Sequence, residues 1–161
     1  MPAIPASKAL LLYLRLAMAW TFLYAGWSQV FAPGFSVAGF LGHTRTFHDF
    51  FAVLAAPAAA PLVSTLVAYG HLLIGLSLLA GLMVRVSAPC GAVLMLLYWL
   101  AHMDWPYIEN RTDFIVDQHL VYAGVLLYLA AARAGHLAGL DALAGRGSFV
   151  QRHRRLRQLF A

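Results

Sequence analysis

The chain has 161 residues, of which 62% are apolar and 11% charged, with a formal net charge of +5. Soluble domains are about a quarter charged, so this balance excludes an ordinary water-soluble globule and predicts one integral membrane domain. The lone cysteine, Cys90, excludes intramolecular disulfides, Cys-x-x-Cys pairs and cysteine-ligated clusters, and with them the disulfide-generating membrane oxidoreductases; between Pro89 and Gly91 it reads as a small packing residue.

Four apolar segments, 9–31, 62–84, 86–103 and 114–132, reach roughly the 20 residues a helix needs to cross a bilayer. Backbone polar groups in lipid must be satisfied internally, and the absence of alternating ten-residue segments argues against a barrel. The predicted fold is therefore all-α, a four-helix membrane bundle. The first segment is too long for a signal-peptide core and no small-x-small cleavage site follows it, so it is expected to be retained. Arg15, near its start, is expected to snorkel to water or to serve a function.

Between the first two spans, Phe40, Phe47, Phe51 and Leu54 recur at helical spacing, apart from His43, Arg45, His48 and Asp49. This predicts a short amphipathic helix on the outer membrane surface, with Arg45 paired to Asp49 one turn on. Pro57 and Pro61 then break it and start the second span. No repeat and no second domain is visible.

Lys8, Arg85, Arg133, Arg146, Arg152, Arg154, Arg155 and Arg157 fall on one side of a four-helix path, against Arg45 and Arg111 on the other. The positive-inside rule predicts both termini in the cytoplasm and the 103–113 loop outside, in the cell inner membrane. Within the tail, 133–161, the run Gln151 to Phe160 interleaves basic and apolar residues and suits anionic lipid, at roughly 1 kcal/mol per charge, rather than nucleic acid.

Each span carries a stripe that mixes small residues with polar ones. These are Arg15, Ala19, Phe22, Gly26 and Gln29; Ser64, Ala68, His71 and Gly75; Gly91, Met95, Tyr98 and His102; and Asp113, Asp117, Val121, Gly124 and Tyr128. Membrane helices pack through such faces, so all four are predicted to turn inward. On an uninterrupted fourth helix Asp117 and His119 point about 160° apart, which gives the interior to Asp117, bonded to His102 or another donor. Its plainer role is to cap and anchor the outer end of that helix.

Ionisable residues inside a span mark a functional site by default. The candidate catalytic residues are His102, Asp117 and His71, and the candidates for cofactor binding are Trp27, Gln29, Trp99, Trp105, His119 and Tyr122. A quinol that loses two electrons also sheds two protons, so its site needs an apolar slot beside groups that take protons. Aromatics at span ends also form interfacial belts. Two other readings stand beside a quinone site. One is a non-catalytic partner that anchors a soluble oxidoreductase through the acidic 103–113 loop. The other is bis-histidine haem on His71 and His119, for which no attachment motif is present. His102-x-Asp104 with His119 lacks the compact spacing of zinc motifs, so no metal is expected. The expected partners are the membrane, a soluble or periplasmic oxidoreductase subunit, anionic lipid at the tail and a second copy of the chain.

The runs Leu14-Arg15-Leu16, Gly26-Trp27-Ser28, Gly70-His71 through Gly81 to Arg85, Val116-Asp117-Gln118-His119 with Tyr122, and Gly139-Leu140-Asp141 resemble the DoxX/DoxD family. The resemblance covers nearly the whole chain. It implies a four-helix membrane bundle and, by the family's best-known member type, the membrane subunit of a thiosulfate:quinone oxidoreductase. Where family members often carry Glu and Lys, this chain has His71 and Gln29, which replaces a charged pair with a neutral one.

Overall fold

The computed structural model describes residues 5–147 and 151–153. In chain order the helices are α1 (Ala6–Phe31), α2 (Ala38–Gly42), α3 (His48–Ala55), α4 (Ala60–Ala80) and α5 (Val84–Ala101), followed after a small sheet by α6 (Gln118–Ala131) and α7 (Asp141–Ala144). α1, α4 and α5 are each long and apolar enough to cross a membrane, so the chain is a multi-pass membrane protein. α6 has 14 residues and rises only about 21 Å, less than the hydrocarbon thickness of about 30 Å.

α1 packs chiefly on α4, and α5 on α6. The α1–α4 seam is close because of two glycines: a Cβ at Gly26 would collide with the backbone of His71 and Leu72, and one at Gly75 with that of Leu23. Small residues let backbones approach where lipid supplies no hydrophobic drive. Phe22 from α1, Ile74 from α4 and Leu126 from α6 meet over Gly91 of α5, which marks the centre of the core. α4 stops at Ala80, before the predicted 84, because Gly81 takes a left-handed conformation at φ 62° that closes the helix.

The end where α1 and α5 finish and α4 and α6 begin is called upper here. There, two helices replace the single amphipathic helix predicted between the first two spans. The break at 43–47 has a local cause, since His43 Nδ1 donates back to Gly39 O at 2.6 Å and Thr44 Oγ1 to Leu41 O at 2.9 Å. Such bonds offer the backbone an alternative to continued helix. Val37, Leu41, Phe51 and Ala101 form a small core beneath the pair, and Ser64 Oγ accepts from Val37 N at 3.1 Å. Arg45 pairs with Asp104 at 2.5 Å, not with Asp49, and so ties this cap to the next connection.

The 103–113 region is not a plain loop. β1 (Met103–Asp104), β2 (Tyr107–Ile108) and β3 (Asn110–Phe114) form an antiparallel sheet in the order β1-β2-β3. β3 occupies the start of the predicted fourth span at 114, so the helix begins four residues later, at Gln118. Ile115 sits at φ 61°, a strained conformation for a β-branched residue. Its backbone is held on both sides, by Ile115 N to Pro106 O at 3.0 Å and by Trp99 Nε1 to Ile115 O at 2.8 Å.

At the lower end Arg15 is buried, with 2% exposure, rather than snorkelling. Its guanidinium donates to Ala134 O and Leu137 O, both at 2.6 Å, and to Ala138 O at 3.3 Å. The carboxylate of Asp141 accepts from Met83 N at 2.7 Å and Val84 N at 3.3 Å, so it caps the start of α5. Together they fold 134–144, the first part of the predicted basic tail, against the bundle. Of the predicted basic tail, 148–150 and 154–161 lie outside the described residues. Arg15→Leu strands three carbonyls. It is expected to cost about 2–4 kcal/mol in detergent unfolding, with Arg15→Lys recovering only part because one ammonium cannot span the fork.

Candidate functional site

The upper half of the bundle gathers an aromatic and imidazole cluster centred on Tyr98, one turn from the end of α5. The Tyr98 ring lies 5.6 Å from that of His71, 5.7 Å from His119, 6.2 Å from His102 and 6.0 Å from Phe40. His102 and His119 stack on each other at 4.9 Å, and His102 also meets Phe40 at 4.7 Å. The Gln29 amide reaches the Tyr98 hydroxyl, while Gln29 Oε1 is buried with no hydrogen-bond partner among the described residues. The replaced charged pair of the family resemblance, His71 and Gln29, thus meets through Tyr98.

The three histidines share one device. His71 Nδ1 is 2.9 Å from Val67 O, and His102 Nδ1 is 2.8 Å from Tyr98 O. A carbonyl only accepts, so each Nδ1 carries a hydrogen, and in the neutral ring Nε2 is left as an acceptor. His119 reaches the same state by another route, its Nδ1 lying 2.5 Å from Asp117 Oδ2. Fixing one ring nitrogen to define the role of the other is the way proteins orient imidazoles.

Asp117 takes the plainer of its two expected roles, capping the helix end, and not the interior bond to His102. It stands outside α6 as its N-cap, in an extended conformation, and its Oδ1 accepts from His119 N at 3.0 Å and Leu120 N at 3.2 Å. Because it precedes the helix, the 160° separation does not apply, and its side chain folds back onto His119 instead of bonding His102. The predicted stripe is inverted as well. Val121 and Tyr128 are exposed and Ala123, Leu126 and Leu129 are buried, so His119 faces the interior. The stripes of α1, α4 and α5 do turn inward.

The aromatic candidates separate. Trp99 positions the α6 approach through Ile115 O. Tyr122 packs against the main core. Trp27 and Trp105 are 63% and 65% exposed, so neither flanks the cluster; Trp27 lies on Phe31 at 4.4 Å on the outer face of α1. His71 and His119 make no ring contact with each other among the described residues, and the Tyr98 ring packs on both. Among the described residues no group of three metal-ligating side chains converges.

Two larger clefts flank the cluster, beside a small one of about 60 Å³ lined by Tyr98 and Phe40. One, about 620 Å³, opens between the end of α1, the 32–38 connection and the start of α4, lined by Gln29, Val30, Phe35, Ser64, Ala68 and Tyr69 among others. The other, about 390 Å³, lies over His102 and is lined by Phe40, His43, Arg45, Asp104 and Glu109. Tyr98 and Phe40, which organise the cluster, were not singled out from sequence. The available signal was that Tyr98 lies on the same α5 stripe as His102.

Fold and site together define a multi-pass helical membrane protein with three histidines gathered around Tyr98 at one end. The DoxX family profile matches residues 10–103, and the chain belongs to the DoxX family. No curated relative and no solved structure matches it.

Asp117 has two separable roles. Asp117→Asn keeps an acceptor for the helix cap and should stay within about 0.5 kcal/mol of the wild type, whereas Asp117→Ala should lose about 1–2 kcal/mol in thermal or denaturant unfolding. Equal losses in the two variants would show that the bond to His119, not the cap, supports stability.

Proposed function

We propose that this protein is the membrane subunit of a quinone-linked oxidoreductase, of the thiosulfate:quinone type that the family resemblance implies, with its termini in the cytoplasm and the 103–113 connection outside the inner membrane. A bound quinone would exchange two electrons and two protons. The protein's part is to berth the ring and move the protons, while the electrons come from a donor or partner subunit, since a chain with one cysteine builds no thiol pair of its own.

The observation that carries this reading is the buried, unpartnered Gln29 Oε1. Gln29 lines the 620 Å³ cleft and also touches Tyr98, so it links a largely apolar berth to the imidazole cluster. That volume falls within the roughly 300–1,000 Å³ of small-molecule sites. Electrons from the donor would reduce the bound quinone to a quinol, which takes up two protons. The Nε2 atoms of His119, His102 and His71 would take protons from water and pass them on to the ring oxygens, and a ring hydroxyl so formed would donate to the orphaned Gln29 amide oxygen. Asp117 keeps the Nδ1 hydrogen on His119 and favours the imidazolium when Nε2 is protonated.

The purified full chain is expected to bind a short-tailed quinone analogue, followed by tryptophan quenching or calorimetry. Gln29→Ala, Tyr98→Phe and His119→Ala should each weaken binding about 5- to 100-fold, as for loss of a buried hydrogen bond of about 1–3 kcal/mol, while Trp27→Phe should not. Absence of binding contradicts the reading. If changes on the sheet at 103–114 instead release a soluble partner from the membrane, the anchoring role replaces it.

Orientation is tested separately. In a Cys90→Ala background, Glu109→Cys should label from outside intact cells with an impermeant maleimide and Gly147→Cys should not. The reverse pattern would invert the topology.

A further inference from the structure

The lower end carries a cleft of its own, about 280 Å³, between the first turns of α1 and the turn after α6. It is lined by Lys8, Leu11, Ala132, Arg133, His136 and Leu137. Two permanent cations and an imidazole thus face one concavity whose remaining wall is apolar. Lys8 and Arg133 enter no ion pair among the described residues. Of the chain's six carboxylates, Asp49, Asp104, Glu109, Asp113 and Asp117 belong to the upper end, and Asp141 is held by the amides of Met83 and Val84.

The cleft is built rather than incidental. The buried Arg15 grips the carbonyls of Ala134, Leu137 and Ala138 directly beneath it. Arg133 and Ala138, on either side of that grip, both hold left-handed backbones, at φ 51° and 49°. Such conformations outside glycine persist only where the surroundings impose them. The N-terminal end of α1, whose N-cap Pro5 makes no side-chain cap bond, adds the positive end of the helix dipole on the same side.

We propose that this cleft binds the phosphate of an anionic phospholipid, of the phosphatidylglycerol or cardiolipin class, in the leaflet at the lower end. Lys8 and Arg133 face the phosphate, His136 offers a ring nitrogen beside it, and Leu11, Ala132 and Leu137 lie where an acyl chain leaves the headgroup. Basic pockets between spans at a membrane surface have this ligand chemistry. A free phosphate would share the cations but leave the apolar wall unused.

Native mass spectrometry of the detergent-solubilised full chain, titrated with dioleoylphosphatidylglycerol or dioleoylphosphatidylcholine, tests this. The wild type should retain the glycerol lipid at least about fivefold over the choline lipid. Lys8→Gln with Arg133→Gln should abolish that preference, the charge-keeping Lys8→Arg with Arg133→Lys should preserve it, and Arg111→Gln at the upper end should leave it unchanged. The basic tail is present in every variant, so it cannot account for a difference. Equal retention of the two lipids by the wild type, or an unchanged preference in the double glutamine variant, overturns the proposal. Displacement of the lipid by millimolar inorganic phosphate, with equal thermal protection by phosphate alone, assigns the site to a free anion and overturns it too.

Discussion

The upper half of this molecule depends on one carboxylate. Asp117 caps the first amides of α6 with one oxygen and fixes the His119 imidazole with the other. Remove the cap and the short helix loses its start; remove the second bond and His119 loses the constraint on its tautomer. The rest of the cluster is arranged around that fixed ring. His102 stacks on it, Tyr98 lies nearly parallel to it, and His71 reaches it through Tyr98. α6 has only 14 residues, and the non-helical segment before it is tied down through Pro106 and Trp99.

The opposite end solves a similar problem with the charges exchanged. Arg15 satisfies carbonyls of a non-helical turn, and Asp141 satisfies amides at the start of α5. Both ends therefore use a buried charged side chain to hold irregular backbone that lipid could not solvate. The close α1–α4 seam at Gly26 and Gly75 joins the two ends rigidly, so the placement of Gln29 above and Arg15 below follows from the same helix contact.

Much of this was legible in the sequence because a bilayer imposes simple rules. Apolar length located α1, α4 and α5, and the small-residue stripes correctly gave the inward faces of all three. The fourth helix was misread because Phe114, Ile115 and Val116 continue its apolar run although their backbone is not helical. Hydropathy does not distinguish helix from an anchored non-helical segment, and the wheel then assigned Asp117 and His119 to opposite faces. The 38–55 region failed for a related reason: helical spacing continued across a break made by His43 and Thr44 bonding back to their own backbone. Contacts between distant positions, such as Arg45 with Asp104 or Arg15 with 134–138, carry no local signal at all. Tyr98 was visible on its stripe, but its position at the centre of the cluster emerges only when four helices are assembled.

The account turns on the histidines presenting Nε2 as the acceptor, and nitrogen-15 NMR of histidine-labelled protein in micelles reads this directly. Above the titration of the rings, His71, His102 and His119 should each show a protonated Nδ1 and a bare Nε2, with His119 alone changing in Asp117→Asn. A protonated Nε2 on His119 in the wild type would contradict the proposed proton-relaying site.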